Sequence, residues 1–508
     1  MAVGPVVEEP APLAGDDHLS LERSGHGQRE IARLPSLSLA ESFRKPGPWY
    51  KNTAQTYAGI MLWFVFWHEV PMGSGLGTGG HSASAGGTLA QGLAVAFLGL
   101  IAAALICHFL FYLVPGMLGM KTGLPLYIVG TSTYGAQGGF LMPGFLMGLL
   151  QFGWLAVNAF FAGILLCAPF GYGFPSVPHA IVASAWVALG AFMGLKGIKY
   201  VARVATFLPL LPLGILVILL VSTIGGLGSF EPKMVIEAGE KVVVDGQTAA
   251  APLGTWAIIV LLCTYVVGFF ATAGAAGADF GMNNRNAKDV HLGGLVGVAL
   301  ATVVAGGLAL LVVAGAYGSG KAGDGGVMQT TGLMGNIMGT HTIMGIPTAS
   351  IFWYLLAIAA FPPACFSSFI AANSFKTTLP KVNPWISVGA GALLAIVLAV
   401  TGIAGDAIGM FKIIGASFGP VCGAMMADYL LAGRKWAGPR AGFNPAGWIS
   451  WAIGFAVGAD FIPGLAGKVP CPPVAAFVVG FVLYLILAMV GLQSKALQMP
   501  AAKAPQRA

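Results

Sequence analysis

From about residue 50 onward, the chain alternates long apolar runs with short polar punctuation. Twelve runs are each long enough, at ~20 residues, to cross the hydrocarbon core of a bilayer. Their approximate limits are 52–70, 88–118, 140–168, 177–195, 202–226, 253–276, 291–317, 348–374, 384–403, 408–432, 445–463 and 472–492. Residues 1–49 are polar and Pro-rich with no continuous apolar stretch, and the closing SKALQMPAAKAPQRA, within 493–508, forms a second polar tail. The first apolar run starts too late for a signal peptide and lacks its small-residue cleavage pattern. The pattern predicts an all-α polytopic membrane protein with one transmembrane domain over 50–492, between two poorly ordered cytoplasmic tails.

Two spans depart from plain helix. Span 1 ends in HEVPMGSGLGTGG, where Pro71 withholds a backbone donor and glycines follow. Span 6 carries GFFATAGAAGADFG, with Gly274 and Gly277 weakening the helix in apolar surroundings. Interrupted spans at corresponding positions point to a transporter built on inverted repeats. A spacing of five predicts a five-plus-five arrangement: one repeat over about 50–226, a second over about 253–432, and two extra helices over about 445–492. Close packing of neighbouring helices is the other use for such glycines.

Composition agrees with this reading. The chain is 57% hydrophobic and 8% charged, where a soluble chain carries about 25% charged residues. The net charge of +7 comes with an asymmetry: with the amino terminus inside, 20 of the 25 Lys and Arg fall on the inner side. Positive-inside loops set orientation, so the charge is a topology signal, and it predicts a plasma (inner) membrane protein with both termini cytoplasmic. No basic run is interleaved with aromatics, which argues against nucleic-acid binding. The six cysteines are scattered through apolar segments with no metal-ligand spacing, so no metal site or cofactor is expected beyond a coupling Na⁺ or H⁺. Gly75, Gly77 and Gly80 fit G-x-G-x-x-G but follow no strand, and HEVPM lacks the second histidine of a zinc-protease motif. No nucleophile elbow or P-loop is present, and no obligate protein partner is evident.

Span 3 holds the most specific chemistry. In LLQFGWLAVNAFF, Gln151, Trp154, Asn158 and Phe161 recur at three- and four-residue steps and share one helix face. Unpaired amides facing lipid cost several kcal/mol, so this face turns to the bundle interior or a cavity. It can serve interhelical hydrogen bonding, or it can hold a flat heterocycle, with stacking on Trp154 and amide pairing by Gln151.

Three stretches carry a resemblance. TGLPLYIVGTSTYGAQGGFLMPGFLMGLLQFGWLAV is similar to the span 2–3 region of the nucleobase–cation symporter family, in its purine/cytosine permease branch. GFFATAGAAGADFGMNNRNAKDV resembles that family's span 6 and following loop, and GPVCGAMMADYLLAGRKW its span 10 ending, in order over about residues 55–490. The resemblance implies a leucine-transporter-type fold and cation-driven uptake of a nucleobase or related heterocycle by alternating access. It implies that Trp154 stacks on the substrate and Gln151 hydrogen-bonds it, while Phe270 and the backbone around Ala271, Thr272 and Gly274 line the other side.

The departures from that family matter too. Span 8 reads FPPACFSSF, so Pro362 and Pro363 stand where the family shows a Thr- and Asn-rich run, and Ser367 and Ser368 become the candidate ion ligands. His68 and Glu69 place an ionisable pair at the broken end of span 1. A carboxylate at membrane depth costs roughly 2.5–3.5 kcal/mol and is a functional candidate: Glu69 is expected to carry a coupling proton or bind a basic ring nitrogen, tuned by His68, unless span 1 has already reached the interface. Asp279 and Arg285 are gating candidates expected to cap or pair at the inner surface. Asp428 is expected at the interface near Arg434 and Lys435, and His108 as a satisfied buried imidazole. The expected substrate is a small planar heterocycle, most simply cytosine or a purine. An amine-like solute is the alternative within transport, and a membrane-embedded enzyme or sensor the alternative outside it.

Overall fold

The fold is described from a computed structural model, which covers residues 46–62, 70–71, 84–196, 207–241, 243–244, 247–248, 250–323 and 330–497. His68, Glu69 and the glycines at 75, 77 and 80 lie outside the described residues.

Twelve principal helices follow the twelve spans in order: α1 Thr53–Met61, α2 Leu93–Thr122, α3 Phe140–Phe170, α4 Val177–Lys196, α5 Leu210–Ser229 and α6 Thr255–Ala275. After these come α7 Ala287–Gly318, α8 Thr348–Thr378, α9 Pro384–Val400, α10 Ala407–Leu431, α11 Pro445–Gly458 and α12 Pro472–Met489. Among the described residues, nine of these are long and apolar enough to cross a membrane. The other three are shorter: α9 has 17 residues, α11 has 14, and α1 is described for 9 before the described residues stop. Several starts are set by local chemistry. Asn286 caps α7 by accepting the Asp289 N–H at 2.9 Å, and Asp406 caps α10 by accepting the Gly409 N–H at 2.9 Å. Prolines stand in the first turn of α9, α11 and α12, where a missing N–H costs no hydrogen bond. Two minimal antiparallel hairpins, pairing Val243 with Thr248 and Thr342 with Pro347, occupy connections.

The helices pack in recognisable groups. α1, α2, α6 and α7 contact one another, with α6 and α7 both against α2 and α1 against α7. α3, α4, α8 and α9 form a second group in which α3 touches the other three. α5 lies against α7 and α8. α10 bridges to α6 and lies along α12, with α11 covering both. The α10–α12 contact has a sequence cause: Gly415, Gly419 and Gly423 repeat every four residues and present one small-residue face. A Cβ on Gly415 would come within 2.5 Å of the Pro473 ring, and one on Gly419 within 2.6 Å of the Pro473 carbonyl oxygen. The backbones meet because nothing stands between them.

The interruption of span 6 falls between the two glycines that mark it in the sequence. α6 runs through Gly274 to Ala275, Ala276 forms a turn while still donating to the Thr272 carbonyl at 2.9 Å, and a five-residue helix follows at Gly277–Gly281. This break frees carbonyls at the α6 end, and the Tyr57 hydroxyl of α1 donates to the one on Ala273 at 2.8 Å. The entry into α1 is held to the same region: the Gly47 N–H and Asn52 Nδ2 both donate to the Asn283 carbonyl, and Thr53 Oγ1 to Asn284 Oδ1 at 2.8 Å.

Two expectations are corrected. Asp428 is buried, and its ion-pair partner is neither Arg434 nor Lys435. It accepts from Arg440 Nη2 at 2.8 Å and from the Tyr484 hydroxyl at 2.9 Å, while Arg440 Nε donates to the Ser132 carbonyl at 2.7 Å. A buried carboxylate needs such a partner, and it came from the α10–α11 loop and α12. His108 is buried as expected, yet among the described residues its Nδ1 has no hydrogen-bond partner.

Candidate functional site

α3 is one of the most enclosed helices, with 16 of the 22 residues over Leu146–Cys167 buried. Its polar face divides between two tasks. Trp154 turns toward α6 and α10. Its indole N–H donates to Thr272 Oγ1 at 3.0 Å, and its ring meets Phe269 edge-on at 5.2 Å and lies against Phe411 at 5.1 Å with 31° between planes. Tyr265 closes the cluster, edge-on to Phe411 at 4.9 Å. All five side chains are buried. The result is a closely packed aromatic cluster with one hydroxyl–indole pair, whose ring quadrupoles suit contact with planar rings.

Asn158, one turn further, ties helices together. Its Nδ2 donates to the Ala360 carbonyl of α8 at 3.0 Å, and its Oδ1 accepts the Trp186 indole N–H of α4 at 2.9 Å. Ala360 lies in the turn that Pro362 and Pro363 disturb, where they withhold the N–H donors that the Ile358 and Ala359 carbonyls would otherwise accept. Gln151 lies one turn before Trp154 and is buried, with its Nε2 3.5 Å from Met147 Sδ of the same helix. That weak acceptor leaves the amide suited to a stronger partner.

The remaining sequence candidates fall in several places. Thr272 is in the Trp154 cluster. Phe270 is fully buried and its ring faces Tyr57 at 5.5 Å, so Phe269, one residue earlier, is the α6 aromatic that touches the indole. Ala271 is buried beside these residues, and Gly274 lies so near Phe111 that a Cβ would come within 2.8 Å of the Phe111 Cβ. Ser367 and Ser368 are buried on α8. Ser368 Oγ bonds back to the Ala364 carbonyl at 3.4 Å, and its Cβ packs against Gly194 of α4. Asp279 and Arg285 do not pair with each other. Asp279 Oδ1 accepts the Leu126 N–H at 3.2 Å, while Arg285 forms a two-pronged contact with Asp289 at 2.7 and 3.2 Å. Phe411 and Tyr265 were missed by sequence reasoning. Each is one aromatic among many in an apolar run, and only the crossing of α6 with α10 brings them to Trp154.

The comparisons with known proteins bear on the family and the fold. The family model described as permease for cytosine/purines, uracil, thiamine, allantoin matches residues 50–487. Cytosine permease of Escherichia coli is 26% identical over 414 residues, covering 79% of this chain and 86% of that protein. Among solved structures, the inward-facing conformation of Mhp1 superposes with a TM-score of 0.59 at 16% identity, covering 89% of this chain and 95% of that one. Mhp1 in a closed conformation with bromovinylhydantoin bound gives a TM-score of 0.57 at 15% identity, covering 88% and 95%. A Na⁺-coupled sialic acid symporter gives 0.53 at 16% identity, covering 94% and 98%. The likeness to these structures shows the fold, and the family match shows that the protein is a transporter and not an enzyme. The chain belongs to the permease family for cytosine/purines, uracil, thiamine and allantoin.

Proposed function

We propose that this permease is a secondary symporter that imports a nucleobase or similar small planar heterocycle, of cytosine or purine type, with a coupling cation. The observation that carries the reading is the buried Trp154, pinned by Thr272 and walled by Phe269 and Phe411 where α3, α6 and α10 cross. A flat ring stacks on the indole, and Gln151, one turn away, pairs with its amide-like edge. Phe411 lies against the indole already, so the incoming ring displaces it and α10 shifts with it. Asn158 supports the site by fixing α3 to α4 and α8. Ser367, Ser368 and Glu69 are the cation candidates, with His68 beside Glu69.

The packing supports a five-plus-five architecture. The group α1, α2, α6, α7 and the group α3, α4, α8, α9 each take one pair of consecutive helices from about 50–226 and one from about 253–432, as a duplicated, inverted unit would. Rocking of the first group against the second around Trp154 provides alternating access. The excess of basic residues on one side orients both termini to the cytoplasm of the inner membrane. Direct binding tests the site: tritiated cytosine bound to purified protein should lose affinity in Trp154→Ala, while the variant still inserts and elutes as the parent does. Undiminished affinity would remove Trp154 from the site.

A further inference from the structure

Asp279 lies in the short helix Gly277–Gly281, between the end of α6 and the loop into α7. Its Oδ1 accepts the backbone N–H of Leu126 at 3.2 Å, 153 residues earlier in the chain, in the connection from α2 to α3. The bond therefore joins the group containing α6 to the segment that leads into α3. Neighbouring atoms surround the carboxyl, yet part of the residue's surface stays accessible. Two tyrosines face it, Tyr57 from α1 and Tyr127 from the α2–α3 connection. Among the described residues no cation pairs with it. Lys121, at the end of α2, donates to the Tyr429 hydroxyl at 3.0 Å and the Arg434 carbonyl at 2.6 Å, and Arg285 is engaged by Asp289.

We infer that Asp279 is a proton-operated latch on the inner side: protonated, it stays enclosed against the Leu126 N–H and holds α6 to the α2–α3 connection, and it gives up its proton when that contact opens to water. An enclosed carboxylate without a cation is poorly solvated, and a neutral carboxyl is not. Burial accordingly pushes the Asp279 carboxyl up from 3.8 to about 6, outweighing the backbone N–H bonds that lower it. The closed arrangement thus binds the proton more tightly than an open, solvated one, so acid favours closure and the advantage is lost as pH rises through about 6. The same linkage makes closure about tenfold more favourable at pH 5 than at pH 8. Which side is inner rests on the orientation proposed above; the proton linkage does not depend on the solute.

Hydrogen–deuterium exchange of the purified full chain, read by mass spectrometry on peptides covering 124–134 and corrected for the pH dependence of chemical exchange, tests it. Opening of this segment should become about tenfold rarer from pH 8 to pH 5, the change setting in as pH falls below about 6. Asp279→Asn, neutral at every pH, should show the slow, acid-like exchange throughout. Protection that is flat or falls on acidification in the wild type overturns the inference, as does an Asn variant that keeps the wild-type profile. The wild-type profile carries the sign by itself, so the test survives a variant that fails to fold. No substrate is needed, so an error about the solute would leave the result standing.

Discussion

At the residue scale, one helix face holds two kinds of polar residue that the sequence cannot separate. Trp154 and Asn158 sit four residues apart on α3, yet the first faces aromatic rings and a single hydroxyl while the second has both ends of its amide in use. Base–aromatic stacking is worth about 1–3 kcal/mol, so Trp154→Ala should weaken substrate binding about 5- to 150-fold and, because it empties a buried site, also lower the melting temperature. Asn158→Ala should spare affinity. It strands the Trp186 indole N–H in the interior and should cost about 1–3 kcal/mol of stability, seen as a lower melting temperature with near-normal affinity for whatever solute the wild type binds. Equal losses of affinity in both variants would put Asn158 in the site. The three- and four-residue rhythm made the shared face legible. The partners were not, because Ala360, Trp186 and Thr272 come from three helices scattered over more than 170 positions.

At the element scale, span limits were legible because a bilayer demands a fixed length of apolar chain. The expected 177–195 and 348–374 are close to the observed Val177–Lys196 and Thr348–Thr378. Where polar caps extend a helix beyond its apolar run, the limits slipped: α7 begins at Ala287 because Asn286 caps it, four residues before the predicted start. The span 6 glycines marked the break, which falls between them, and the Tyr57 hydroxyl takes up the Ala273 carbonyl beside it. The Asp428–Arg440 pair was hidden because its partners lie 12 residues apart across a loop, and nearer basic residues invited the wrong pairing. On α10, Gly423 lies in direct contact with the Phe477 backbone of α12. Gly423→Ala should push the two helices apart and lower stability by about 1–3 kcal/mol, measurable as thermal unfolding in detergent; an unchanged melt would mean that this seam tolerates separation.

At the scale of the whole molecule, the two four-helix groups, with α10 joined to α6 on one side and α12 on the other, put the aromatics of the proposed site on different bodies. Trp154 stands on α3 in one group and Phe269 on α6 in the other, so the proposed rocking would open or close that site from either face. The orientation proposed from charge can be read directly. In a background with the native cysteines replaced, Lys288→Cys should react with a membrane-impermeant thiol reagent only in inside-out vesicles, and Lys468→Cys only in right-side-out ones. The reverse pattern would invert the topology and, with it, the side on which Asp279 acts.

Uptake of radiolabelled cytosine into proteoliposomes, under a sodium gradient, a proton gradient or neither, tests the central claim most directly. The account predicts gradient-driven accumulation by the wild type that is lost in Trp154→Ala, with sensitivity of the proton-driven component to Glu69→Gln identifying the coupling group. Failure to accumulate cytosine or a purine under either gradient, or accumulation that survives Trp154→Ala, would contradict it.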